Sequence, residues 1–95
     1  MAKGPLISRE AIRDLEEIWE YIAEDSELNA DRFIDQIIEK CCELVDLVGV
    51  GHRRDDLIPG MLSLAFRKYI IFFQRNESGV EIVRVLHGAR DIRSI

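Results

Sequence analysis

MLSLAFRKYIIFFQRNESGVEIVRVL, residues 61–86, is the stretch on which the fold turns. From Met61 to Phe66 apolar residues alternate, placing Leu62, Leu64 and Phe66 on one face. Tyr69-Ile70-Ile71-Phe72-Phe73 is a continuous β-type run, Asn76-Glu77-Ser78-Gly79 reads as a turn, and Val80 to Leu86 is rich in β-branched residues. Period-two alternation marks a half-buried strand, and a short apolar run between turn signals marks a buried one. Three such segments in succession predict strands joined as hairpins.

Upstream the period changes. Gly49 to Gly60 reads as a loop, with two more glycines, Pro59 and the charged run His52-Arg53-Arg54-Asp55-Asp56. Before it stand two helical stripes. Ala11, Ile12, Leu15, Ile18, Trp19 and Ile22 recur at three- and four-residue spacing, and so do Ala30, Phe33, Ile34, Ile37, Ile38, Cys41, Leu44 and Val45. Such spacing lays one apolar face along a helix. Ser8 has the chemistry to cap the first helix, which is expected to reach about Glu24, and Asp25-Ser26 to cap the second, ending near Val48-Gly49. The short break makes the pair an antiparallel helical hairpin. Leu6-Ile7, after Pro5, forms a short first strand.

The order is therefore β-α-α-β-β-β over residues 1–95, a single α+β domain: an antiparallel sheet with a helical hairpin packed on one face. Trp19, beside Leu15 and Ile22, and Phe33 are expected to meet over the sheet against Leu62, Leu64, Phe66, Ile71 and Phe73. In that position truncation of Trp19 would abolish folding.

No apolar run approaches the roughly 18–20 residues of a membrane span, and Met1-Ala2-Lys3-Gly4-Pro5 opens no signal peptide. Both point to a cytoplasmic protein. Cys41 and Cys42 are adjacent on a helix, where an internal disulfide would be strained, and no further ligand stands at metal spacing. Cys41 reads as a buried structural thiol, and no cofactor or metal is predicted. The net charge of −5 is unevenly spread: residues 1–47 hold five Lys/Arg against thirteen Asp/Glu, residues 48–95 eight against five. A surface for phosphate would have to lie in the second half.

Four stretches in order resemble the ParE branch of the RelE/ParE toxin superfamily, whose members include plasmid stabilisation proteins. They are residues 11–23 (AIRDLEEIWEYIA), residues 30–35 (ADRFID), residues 51–60 (GHRRDDLIPG) followed by Tyr69 to Phe73, and residues 82–92 (IVRVLHGARDI). The match runs from about Ser8 to Ile92. The closing run Arg84-Val85-Leu86-His87-Gly88-Ala89-Arg90-Asp91 is its most specific part.

The resemblance implies a strand, two helices and three further strands. It also implies a type II toxin–antitoxin system in bacteria, with a cognate antitoxin that wraps and neutralises the toxin, as a homodimer or a toxin–antitoxin heterotetramer. ParE-like members inhibit DNA gyrase, whereas RelE-like members cut messenger RNA on the ribosome. In one respect the chain departs from the pattern. Leu62 stands after Pro59-Gly60-Met61 where ParE-like sequences often have Arg, so any polar contact of that Arg is not carried over.

A ribonuclease needs a base, an acid and cations at the scissile phosphate. The candidates are His87, Arg84 and Arg90, with Arg93 and the Arg53-Arg54 pair. Against it, the isoelectric point is near 5, unlike that of a ribosomal RNA binder. The tail Asp91-Ile92-Arg93-Ser94-Ile95 also lacks the tyrosine many such nucleases carry there, and Tyr69 reads as a packing residue. Sequence-specific duplex binding by Arg53, Arg54, Arg67, Lys68, Arg84, Arg90 and Arg93 finds no recognition helix, since the second helix is acidic outside its stripe. The expected function is a non-enzymatic toxin that inhibits gyrase by protein contact through Arg84, His87, Arg90 and Arg93. The alternatives are a RelE-type messenger-RNA endoribonuclease and an inactive toxin-like protein.

Overall fold

A computed structural model of the chain describes residues 4–88. Helix α1 spans Arg9–Ala23 and α2 spans Glu27–Asp46. Both expected caps are present. Ser8 Oγ accepts the Ala11 N–H at 3.0 Å and Ser26 Oγ accepts that of Asn29 at 3.1 Å, each satisfying a first-turn donor that the helix itself leaves unpaired. At the other end of α2, Arg75 donates to the carbonyls of Leu44 and Leu47, both at 2.6 Å, putting positive charge where the helix dipole is negative.

The five strands are β1 (Leu6–Ile7), β2 (His52–Arg53), β3 (Leu62–Phe66), β4 (Tyr69–Asn76) and β5 (Gly79–His87), in sheet order β1-β5-β4-β3-β2. From β2 to β5 the pairing is antiparallel, as expected. β1 differs, lying parallel to β5 through Leu6↔Glu81 and Ile7↔Ile82, because everything from α1 to β4 intervenes before β5 returns beside it. The sheet is therefore mixed. β2 falls inside the stretch read as a loop; two residues against Leu62 and Ser63 are too few to show a period.

A bulge in the β4–β5 ladder falls at Phe72/Phe73, where Arg84 pairs with Phe72 but Ile82 with Phe73. Val83 is the extra residue, so Ile82 and Val85, three apart, both enter the core on the helix side. That core joins Ala11, Leu15 and Ile18 of α1 and Ile37, Cys41 and Leu44 of α2 to Ile71, Phe73, Val80, Ile82 and Val85. On the opposite face Met61, Phe72 and Leu86 form a smaller cluster that Leu57 helps to cover. Leu57 comes from the loop after β2, which is pinned by Arg54 N–H to the Met61 carbonyl and by Gly60 N–H to Asp55 Oδ1, both at 2.8 Å.

Phe33 behaves as expected, its ring lying 5.9 Å from Phe66 and 5.6 Å from Tyr69. Trp19 does not. The face of α1 turned to the sheet carries Ala11, Asp14, Leu15 and Ile18, and Trp19, one residue or about 100° further round, is only partly buried. Its Nε1–H donates instead to Asp31 Oδ1 of α2 at 2.7 Å. Ile12, also placed in the stripe, is 48% exposed. Cys41 is buried as expected, and burial pushes its thiol up to about 12.

Candidate functional site

At one end of the sheet the helical hairpin stands off from the strands and leaves a groove of about 710 Å³. Tyr21 and Ile22 line it from the end of α1, Phe33 from α2, Arg67, Lys68 and Tyr69 from the β3–β4 turn, and His87 from the end of β5. Apolar periodicity puts Ile22 and Phe33 on the inner faces of their helices. The two-residue turn between Phe66 and Tyr69 puts both cations at the rim.

Arg67 adopts φ +55°, the left-handed region that a side chain normally avoids. Its guanidinium donates to Gln36 Oε1 at 3.1 Å and lies 5.7 Å from the centre of the Phe66 ring. The Lys68 carbonyl accepts the Gly88 N–H at 2.9 Å, tying the end of β5 to the turn. The His87 ring stands edge-on to Tyr69, 5.5 Å between centroids. Tyr69 thus links Phe33 on one side to His87 on the other.

The expected site residues part company here. His87 lies in the groove, whereas Arg84, three residues earlier on β5, does not line it. Arg84 instead grips Asp14 of α1, with Nε to Oδ2 at 2.8 Å and an Nη2 bond to Oδ1 at 2.9 Å. These hydrogen bonds, more than the surrounding charges, raise the guanidinium's pKa further. Arg53 and Arg54 pair with Asp55 and Asp56 within their own loop, each at 3.0 Å. Arg90 and Arg93 lie outside the described residues.

Sequence reasoning missed Asp14 and the groove's Tyr21. An acid at Asp14, between Ala11 and Leu15 on the buried face, was the available signal, since a carboxylate there requires a partner. The groove as a whole carried no such mark, because its residues come from separate segments. Among the described residues, no group of three or more His, Cys, Asp or Glu is placed to hold a metal ion, and no helix is long and apolar enough to cross a membrane.

This arrangement has a counterpart among solved structures. A chain of the chromosomal ParDE TA system from P. aeruginosa superimposes with a TM-score of 0.75 at 20% identity, covering 90% of this chain and 96% of that one. At that identity the likeness concerns the fold. No curated protein matches significantly in sequence. The family model described as the ParE toxin of type II toxin-antitoxin system, parDE, matches residues 6–92. With nearly the whole chain matched, this protein belongs to the ParE toxin family.

Proposed function

We propose that this toxin acts without catalysis, inhibiting DNA gyrase by protein–protein contact in the cytoplasm, and that a cognate antitoxin neutralises it. Membership of the ParE family supports the gyrase target. The solved relative is described as a toxin–antitoxin system, which supports an antitoxin partner here.

The observation that carries the non-enzymatic reading is the bidentate bond of Arg84 to Asp14. A ribonuclease would use a cation at that position on a phosphate, and here the guanidinium is already committed to a carboxylate. His87, Arg90 and Arg93, at the end of β5 and beyond it, are the residues proposed to meet the target. Arg84 belongs with them by holding in place the strand that ends in His87.

Purified toxin added to gyrase should block supercoiling or trap cleaved DNA, while messenger RNA on ribosomes stays intact in primer extension. Codon-dependent cuts that vanish in His87→Ala would instead establish the ribonuclease.

A further inference from the structure

The β3–β4 hairpin turns through two residues, Arg67 and Lys68, between the paired Phe66 and Tyr69. So short a turn favours a positive φ at its first residue, a position that suits glycine or asparagine. Arg67 fills it at φ +55°, and everywhere else among the described residues a positive φ falls on glycine, as at Gly79 where β5 begins. A long side chain in the left-handed region strains the backbone. In return the guanidinium makes a hydrogen bond to Gln36 at 3.1 Å and lies 5.7 Å from the centre of the Phe66 ring. Both contacts of this exposed side chain are of the weak surface kind and do no more than offset the strain. Net stability therefore does not account for an arginine here, and strain kept without such a return points to a task for the side chain.

The shape of the turn reaches β5. The Lys68 carbonyl accepts the Gly88 N–H at 2.9 Å, one step beyond the Tyr69↔His87 pair that ends the β4–β5 ladder. Tyr69, the first residue after the turn, stands edge-on to the His87 ring. At the other end of the line, Gln36 sits on α2 beside the fully buried Ile37. We infer that Arg67 is a positioning residue for the target-contact end of β5: anchored on Gln36, it fixes the turn whose Lys68 carbonyl and Tyr69 ring set where His87 stands. The inference rests on the reading above that His87 meets the target. Gln36 does not line the groove that holds His87, so its influence there passes through Arg67.

The test compares gyrase inhibition by the full chain, hydrogen exchange at the Gly88 amide and thermal melting in Arg67→Gly, Gln36→Ala and the double variant. Val48→Ala, 83% exposed in the loop after α2, is the control. Arg67→Gly relieves the strain and removes the anchor together. It should melt within about 3 °C of the parent, while Gly88 exchanges about fivefold faster and inhibition falls severalfold. Gln36→Ala should move exchange and inhibition in the same direction, and adding it to Arg67→Gly should change neither further. A merely structural arginine would shift the melting point instead, with Gly88 exchange following the rest of the sheet.

A melting point far below the parent's in Arg67→Gly would overturn the inference, since the arginine would then serve stability. Gly88 exchange at the parent's rate in both single variants would overturn it too. Loss of inhibition in Arg67→Gly with full potency in Gln36→Ala would make Arg67 a direct contact of the target. An unmodified chain that leaves supercoiling intact would sink the target reading, and Gly88 exchange, which needs no target, would still decide whether Arg67 positions the end of β5.

Discussion

Asp14 closes the open edge of β5 by holding Arg84 with both carboxylate oxygens, while Oδ2 also accepts the Val85 N–H at 3.0 Å. β1 pairs only with Glu81 and Ile82. Beyond it, Ser8 Oγ donates to the Val83 carbonyl at 2.7 Å, and Asp14 takes the next free N–H. Side chains thus continue what a two-residue strand begins, and the exposed edge is covered.

Asp14→Ala should therefore destabilise the domain by about 2–4 kcal/mol, since it leaves the buried Val85 N–H without its acceptor and removes a carboxylate that holds Arg84 with two hydrogen bonds. The lower part of that range fits Arg84, whose side chain is 22% exposed. Asp14→Asn keeps an acceptor for Val85 and should cost less. Urea unfolding measures both, and an Asp14→Ala protein as stable as the parent would show the pair to be idle.

Trp19→Phe should cost only about 1 kcal/mol, the worth of an exposed hydrogen bond to Asp31. The folded protein should emit between the buried and the water-exposed limits and shift to the red on unfolding. Loss of folding in Trp19→Phe would restore the core position expected from the stripe.

Gly51→Ala should be destabilising by about 1–3 kcal/mol. Gly51 has φ +106°, and a Cβ there would lie 2.9 Å from Phe73 Cζ and 3.3 Å from the Ser63 carbonyl oxygen. Gly49→Ala, at φ +90° with nothing within 4 Å, meets the backbone strain alone. Thermal melting should rank Gly51→Ala well below Gly49→Ala; equal melting points would argue against the contact with Phe73.

Thiol labelling at pH 8 should modify one cysteine per folded chain. Cys42 is exposed, whereas Cys41 is buried with its thiol pushed up to about 12, so little thiolate forms there. Denaturant should release the second. Two rapid modifications under native conditions would mean that α2 opens readily from the core.

The loop over the second face should be sensitive to acid. The Gly60 N–H, and then Arg53, hold the Asp55 carboxyl below its usual range, and the side chain of Arg54 does the same for Asp56. A lowered folded-state value means that this stabilisation is complete above the ordinary Asp range and is lost as pH falls through the depressed value. The Gly60 amide resonance should accordingly titrate below the ordinary range. A midpoint at or above it would show the Asp55 contact to be absent in solution.

The helices were legible because their signals are local: Ser8 and Ser26 cap within three residues, and the stripes repeat along one segment. The strands of residues 62–87 were legible for the same reason. Trp19 misled because two neighbours in one stripe, Ile18 and Trp19, cannot both point at the sheet, and the pattern does not say which does. β1 and β2 form through pairing with distant strands rather than by propensity of their own, so the parallel register of β1 was out of reach. Of the groove, His87 was legible through family resemblance alone, because Tyr21, Phe33, Arg67 and Tyr69 become neighbours only when the hairpin docks.

The strand order β1-β5-β4-β3-β2 puts β5, the last strand among the described residues, in the interior of the sheet. Ser8 bonds to Ile82 and Val83, and Asp14 to Arg84 and Val85, so β1 and the first turns of α1 meet these partners only when β5 emerges. Contacts this distant along the chain close late. Synthesis therefore acts as a timer: the groove is completed only once His87, at the end of β5, has emerged and the strand has docked.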